Sequence, residues 1–139
     1  MTAAEGRRIW LETLRWLWLC GTAPKEMPLQ LTDAMTVIDE MWHAFVLFTN
    51  DYTDFCHRHF GRYVHHVPTT EADRARFRRA LAGNRAVTTR RILDERRAQY
   101  ERIAEQLGVA TLRRWYIAYP VTYSSAALRR LRVQGLKNT

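Results

Sequence analysis

Apolar residues recur along this chain at three- and four-residue intervals, and strand-like alternation is nearly absent. That period puts side chains on one face of a helix. Ile9, Trp10, Leu14, Leu17 and Trp18 form one such stripe. They predict a first helix from about Ala3 to Cys20, stopped by Gly21, with Pro24 and Pro28 in the loop beyond. A second helix takes Thr32 or Asp33 as N-cap and continues to about Phe48. Met35, Ile38, Met41, Trp42, Phe45 and Phe48 wrap much of its circumference, which marks a largely buried helix. A third follows Thr49-Asn50 and ends at Gly61, a residue suited to the left-handed turn after a helix. The loop around Asn50, two to four residues long, predicts an antiparallel hairpin of these two helices that buries Trp42 and Phe55.

After a non-helical connection at His65-His66-Val67-Pro68, Thr70-Glu71-Ala72-Asp73 fits the capping box of a fourth helix, which runs to about Ala82. A fifth spans roughly Thr88 to Leu107 and stops at Gly108. Ala110 to Tyr119 forms a sixth, ended by Pro120, and Ser124 to Val133 adds a short basic seventh helix with Ser124 as cap. The fold class read from these signals is all-α: a single-domain helical bundle of about six helices over residues 1–139.

Composition supports a folded globule, with 47% hydrophobic residues including five Trp and six Tyr. Basic residues precede an apolar run between Arg7 and Cys20, but Glu12 and Arg15 interrupt it, and Leu19 is too large for lipoprotein processing at Cys20. The segment reads as an amphipathic helix rather than a leader. No apolar stretch is long enough to span a bilayer, so no membrane association is expected. The two cysteines show no disulfide framework, and a reduced, cytoplasmic protein is the expectation.

The net charge of +8 is unevenly spread. Residues 1–70 carry six basic and eight acidic side chains, a balance of −2; residues 71–139 carry sixteen and six, a balance of +10. An arginine-rich half of this kind either binds an anionic partner, nucleic acid or an acidic protein, or is a set of solvated helix faces. Arg74, Arg78, Arg85, Arg90, Arg97 and Arg102 avoid the apolar stripes and are the candidate contact residues. Trp115, Tyr116, Tyr119 and Tyr123 fit a core better than a base-stacking surface. Asp94-Glu95 among four arginines reads as surface ion pairing.

The candidate chemistry is concentrated elsewhere. All five histidines fall between residues 43 and 66, together with Cys56 and well-placed acids. Imidazole, thiolate and carboxylate bind transition metals and move protons. Asp39 and His43, four apart, share a helix face at the margin of the apolar arc. Either Asp39 orients a core histidine, or both are metal ligands. On the third helix, Tyr52, Phe55, Cys56, His59 and Tyr63 share one face, so His59 is expected inward and His57 outward. Cys56 is either a small buried hydrophobe or a thiolate ligand. His65 and His66 lie where the chain can turn back across the helix pair, with one to coordinate and the other to support it. The candidate metal set is therefore Asp39, His43, Cys56, His65 and His66, supported by Trp42, Tyr52 and His59, with zinc or iron as the cofactor. No nucleotide or flavin motif, nucleophile elbow or C-x-x-C occurs.

Ile38-Asp39-Glu40-Met41-Trp42-His43, followed by Tyr52, Phe55-Cys56, Phe60-Gly61 and His65-His66-Val67-Pro68, resembles the core of the glycine-rich-domain-containing-protein-like family. That family shows a D-x-x-W-H motif, then Y-x-x-x-C, F-G and a late histidine. The resemblance covers about residues 30–68 and implies that Asp39, Trp42, His43, Tyr52, Cys56, Gly61, His65 and His66 form a shared feature. His57 and His59 fall outside it, and Phe45 stands where many members carry a second histidine. Three function classes follow: a metal-binding helical domain with a structural or accessory role, a metal-dependent enzyme of non-haem iron or zinc type, and a metal-free basic adaptor.

Overall fold

The computed structural model describes residues 1–137, and no strand occurs among them. Helix α1, Ala3–Thr22, opens on a capping box in which the Thr2 side chain accepts from the Glu5 amide and Glu5 accepts from the Thr2 amide. Its buried face is Ile9, Glu12, Thr13, Trp16, Leu17 and Leu19. This corrects the expected stripe: Trp16 is inside and Trp18 is 41% exposed. The arc is rotated because two polar residues are satisfied internally. Thr13 Oγ1 donates to the Ile9 carbonyl at 2.9 Å. The Glu12 carboxylate accepts from Arg15 at 2.6 Å, from Arg114 at 2.8 Å and from the Trp115 indole at 2.7 Å.

Helix α1 also runs through Gly21 rather than stopping there. Glycine is needed at that point for contact, since a Cβ would collide with the Phe60 ring. The terminal carbonyls of Cys20 and Gly21 accept from Arg62, and Arg102 donates to the Thr22 hydroxyl.

A 3-10 turn, Asp33–Met35, leads into α2, Thr36–Leu47. Helix α3, Thr49–Phe60, follows after Phe48 alone, whose φ of −83° and ψ of 67° break the helix. The link is thus one residue rather than the expected longer loop, and Asn50 is already helical. Helix α3 still folds back on α2, placing the Phe45 ring edge-on to Tyr52 at 5.0 Å and to Phe55 at 5.5 Å. Trp42 is buried as expected, while Phe55 is only partly covered and Phe48 is exposed at the corner. Gly61 adopts the left-handed conformation that ends α3.

Helix α4, Glu71–Gly83, is opened by the Thr70 capping box and buries no residue. Helix α5, Arg85–Leu107, starts three residues before the expected Thr88, because Asn84 caps it by accepting from the Val87 amide. Thr88 instead ties the two helices together by donating to the Ala80 carbonyl at 3.0 Å. After Gly108 come α6, Val109–Arg113, a π turn at Arg114–Ala118 and α7, Tyr119–Thr122. This stretch passes Pro120 instead of ending there. The widened turn brings Pro120 into the first turn of α7, where its missing N–H costs no intrahelical bond. Helix α8, Ser125–Lys137, completes the described chain.

The core gathers Ile9, Trp16, Leu17, Ile38, Trp42, Tyr52, Ile103, Trp115, Tyr119 and Leu128 from helices across the sequence. The late aromatics are therefore core, with Trp115 edge-on to Trp16 at 6.0 Å. The segment after α1 is held by one side chain of α5. The Gln99 amide accepts from the Gln30 amide at 2.8 Å, and donates to the Gln30 carbonyl at 2.9 Å and the Tyr116 hydroxyl at 2.7 Å.

Candidate metal centre

Helix α2 presents Asp39 and His43 one turn apart, and the segment after α3 brings His66 over them. Asp39 Oδ1 lies 2.8 Å from His66 Nε2, and Asp39 Oδ2 lies 3.6 Å from His43 Nδ1. One ligand atom from each of the three residues falls within 4.8 Å of the others. An ionised carboxylate only accepts, so His66 Nε2 carries the proton of that bond. The two imidazole rings stand 4.1 Å apart, centre to centre.

Two aromatic residues set this convergence. The Trp42 ring is edge-on to His66 at 4.3 Å. Its indole N–H donates to the Tyr52 hydroxyl at 2.9 Å, and that hydroxyl donates to the Val64 carbonyl at 2.5 Å. The relay fixes the returning chain two residues before His66. Burial raises the Tyr52 pKa well above the phenol range, an effect opposed by the Trp42 N–H and reinforced by neighbouring Cys56. The hydroxyl therefore stays a donor to Val64.

The other sequence candidates lie apart. Cys56 is fully buried in the core beside Tyr52 and is not in the three-residue group. Its face of α3 packs inward against aromatics, so no thiolate joins the donor set. His65 is exposed and lies against Tyr63 at 4.8 Å, so neighbouring loop residues do point in different directions and His66 is the one that turns in. His57 is exposed as expected. His59 is also exposed, stacked on Phe55 at 4.6 Å, which corrects the inward placement. Tyr52 and Cys56 take the buried positions of α3 and the Phe60 ring lies against Gly21, but the cover over that face does not extend to His59.

Asp39 and His43 are not core residues. Their side chains are 34% and 56% exposed against 10% for His66, so the site opens to solvent on its His43 side. It lines a groove of about 920 Å³ between the segment after α1, the N-terminal half of α2 and the segment after α3. Of the six arginines proposed as an anion surface, Arg74 and Arg78 pair with Glu71 at 3.5 and 2.7 Å, and Arg90 pairs with Asp94 at 3.2 Å. Arg102 is no surface cation: it is half-buried, with a guanidinium on Thr22. Arg85 and Arg97 are exposed and have no acidic partner among the described residues.

The polar anchors at Glu12 and Gln99 were not singled out from the sequence. Glu12 could have been flagged as an acid flanked by apolar residues of a buried stripe; nothing in the pattern marks Gln99.

No helix among the described residues is long and apolar enough to cross a membrane. No curated protein and no solved structure matches the chain. The sequence profile of the UCP032817-like family matches residues 11–87, a span that holds Asp39, Trp42, His43, Tyr52 and His66 and more than half of the chain. The chain belongs to the UCP032817-like family.

Proposed function

We propose that this protein is a metal-binding helical domain whose Asp39, His43 and His66 hold one zinc or ferrous ion. The observation that carries the reading is the meeting of three donor atoms within 4.8 Å, two from α2 and one from a segment pinned by a buried hydrogen-bond relay. Two imidazoles and one carboxylate suit either ion. Closed structural zinc sites take four protein ligands, whereas sites that bind a substrate or water keep positions open. Only three donors meet here among the described residues, and His43 faces solvent. This favours an open centre over a structural one. The resemblance to the glycine-rich-domain-containing-protein-like family supports the reading, because its D-x-x-W-H motif supplies Asp39 and His43 together with Trp42, which positions His66.

The test is elemental analysis of untagged protein, followed by zinc titration and anaerobic ferrous titration. One equivalent is expected. His66→Ala and Asp39→Ala should abolish binding, while His65→Ala and His57→Ala leave it unchanged. Uptake of neither ion, or equal loss in the His57→Ala control, would sink the reading. Because protons compete for imidazole nitrogen, affinity should also fall on acidification.

The α4–α5 arm supports a second reading, as a weak contact surface for an anionic partner. Residues 71–98 hold nine arginines against four acids, and Arg79, Arg85, Arg91 and Arg97 are exposed without an acidic partner among the described residues. RNA and DNA titrations at two salt concentrations test it; phosphate contacts weaken steeply with salt. Absence of binding even at low salt removes nucleic acid as the partner.

A further inference from the structure

The groove beside the candidate metal centre contains two polar groups that the fold leaves unused. The indole N–H of Trp16 and the hydroxyl of Thr32 are buried without a hydrogen-bond partner, and both residues line the groove that Asp39, His43 and His66 also line. Trp16 is 1% exposed, so bulk water does not reach its N–H. A buried donor left unpaired is a standing penalty, and native structures seldom carry one without a reason. An indole nitrogen only donates, so whatever completes it must bring an acceptor atom.

The charged side chains of the groove favour the same chemistry. Lys25 is exposed and forms no ion pair among the described residues. Arg62 uses one terminal nitrogen on the Cys20 and Gly21 carbonyls, which leaves its other N–H groups available. On the acidic side, Asp73 is paired with Arg76, which leaves Asp33 and Asp39 against these two cations. A divalent ion held at the three-donor centre would tip the balance positive. The groove volume, about 920 Å³, suits a small molecule, for which sites of about 300–1,000 Å³ are usual.

We propose that the groove binds a small organic anion next to the metal, its carboxylate or phosphate oxygens accepting from Trp16 and Thr32 once the side chains that cover these two groups move aside. This inference rests on the metal reading above.

The test uses the full chain, first titrated with zinc and then, zinc-loaded, titrated calorimetrically with succinate and with phenyl phosphate. Thr32→Val removes one donor while keeping the side chain's shape, and Trp16→Phe removes the other while leaving a smaller ring in the core. Thr32 is only partly buried, so its variant serves if Trp16→Phe lowers the melting temperature too far. At least one probe should bind, and each variant should weaken it about tenfold with zinc affinity unchanged, the loss expected for one hydrogen bond. Response to succinate alone assigns a carboxylate, and response to phenyl phosphate alone assigns a phosphate. Zinc uptake with no response to either probe overturns the anion site and leaves the metal reading standing, as does probe binding that Thr32→Val does not weaken. A chain that takes up neither zinc nor, anaerobically, ferrous ion overturns both, and shows it at the first titration.

Discussion

Helices α2 and α4 are almost equal in length, twelve and thirteen residues, yet they do opposite work. Helix α2 buries Val37, Ile38 and Trp42 and carries Asp39 and His43 at the edge of that buried face. Helix α4 buries nothing and meets the rest of the protein mainly through α5. Its side chains pair locally, Arg74 and Arg78 with Glu71 and Arg76 with Asp73. A polar side chain can be held in a defined place only where neighbours are packed, and α2 has the aromatic contacts that supply this. The donors are thus positioned by the core, while the arginines of the arm are arranged by helix phase alone.

The largest effect should come from the side chain that joins core and site. Trp42→Ala removes a buried ring, the contact on His66 and the bond to Tyr52, and should cost about 3–5 kcal/mol in urea unfolding. Zinc affinity should fall with it. Phe77, 43% exposed on α4, offers the matched control, and its Ala variant should stay within about 0.5 kcal/mol. Similar losses at the two positions would erase the contrast between the helices.

Glu12→Ala asks whether the polar anchor of α1 is as central as its burial implies. The change leaves the Trp115 N–H without an acceptor and Arg114 without its counter-charge. Both arginine partners are partly exposed and can recover some hydration, so about 2–3 kcal/mol is expected rather than the full cost of breaking a buried pair. Tyr52→Phe should cost somewhat less, about 1–3 kcal/mol, by leaving the Trp42 N–H and the Val64 carbonyl unpaired. It should also weaken zinc binding without touching a ligand. Unchanged zinc affinity in that variant would show that His66 is placed by something other than the relay.

How much of this could be read beforehand differs between the two regions for the same reason. The arm was legible: Thr70 and Asp73 announce its start, and exposed arginines follow from phase. Only the Asn84 cap was passed over, hidden beside a glycine. In α2 the pairing of Asp39 with His43 followed from spacing, and the choice of His66 over His65 did not. That choice depends on Tyr52 reaching the Val64 carbonyl across a loop. The phase of α3 puts His59 on the side of Tyr52 and Cys56, and its exposure shows that the packing over those two residues does not extend to its ring. The π turn at Arg114–Ala118 was invisible for a similar reason: a proline pattern signals a stop, and only tertiary packing of Trp115 and Tyr119 shows why the chain continues.

Two core phenols give the comparison a pH dependence. Burial holds Tyr116 and Tyr119 at about 12, above the ordinary value of 10.0. A raised folded value means that the folded state keeps its proton where the unfolded chain loses it. The contribution to stability is therefore complete below pH 10 and disappears as pH rises from 10 to 12. Unfolding midpoints measured over that range should fall, and Tyr116→Phe and Tyr119→Phe should each flatten the decline. The α4 arm lacks such groups, so cleavage there by limited proteolysis should not track the same transition.

The smallest effect should be the loss of an arm ion pair. Arg78 meets Glu71 at 2.7 Å, and together with Arg74 it holds the Glu71 carboxyl below its usual range. A lowered value stabilises the folded state above the ordinary carboxylate pKa and loses that contribution as pH falls. Both partners stand largely in water, however, where ordering two long side chains offsets most of the attraction and salt screens the rest. Arg78→Ala should therefore leave the melting temperature unchanged at moderate salt, with at most a slight drop at low salt. A clear, salt-sensitive loss would mean that local charge pairs hold α4 on α5, and the arm would then count as a built structure rather than a helix pair tied by the Thr88–Ala80 bond. It would also remove Arg78 from any anion-binding surface, because a guanidinium that stabilises the fold through Glu71 is not free to meet phosphate.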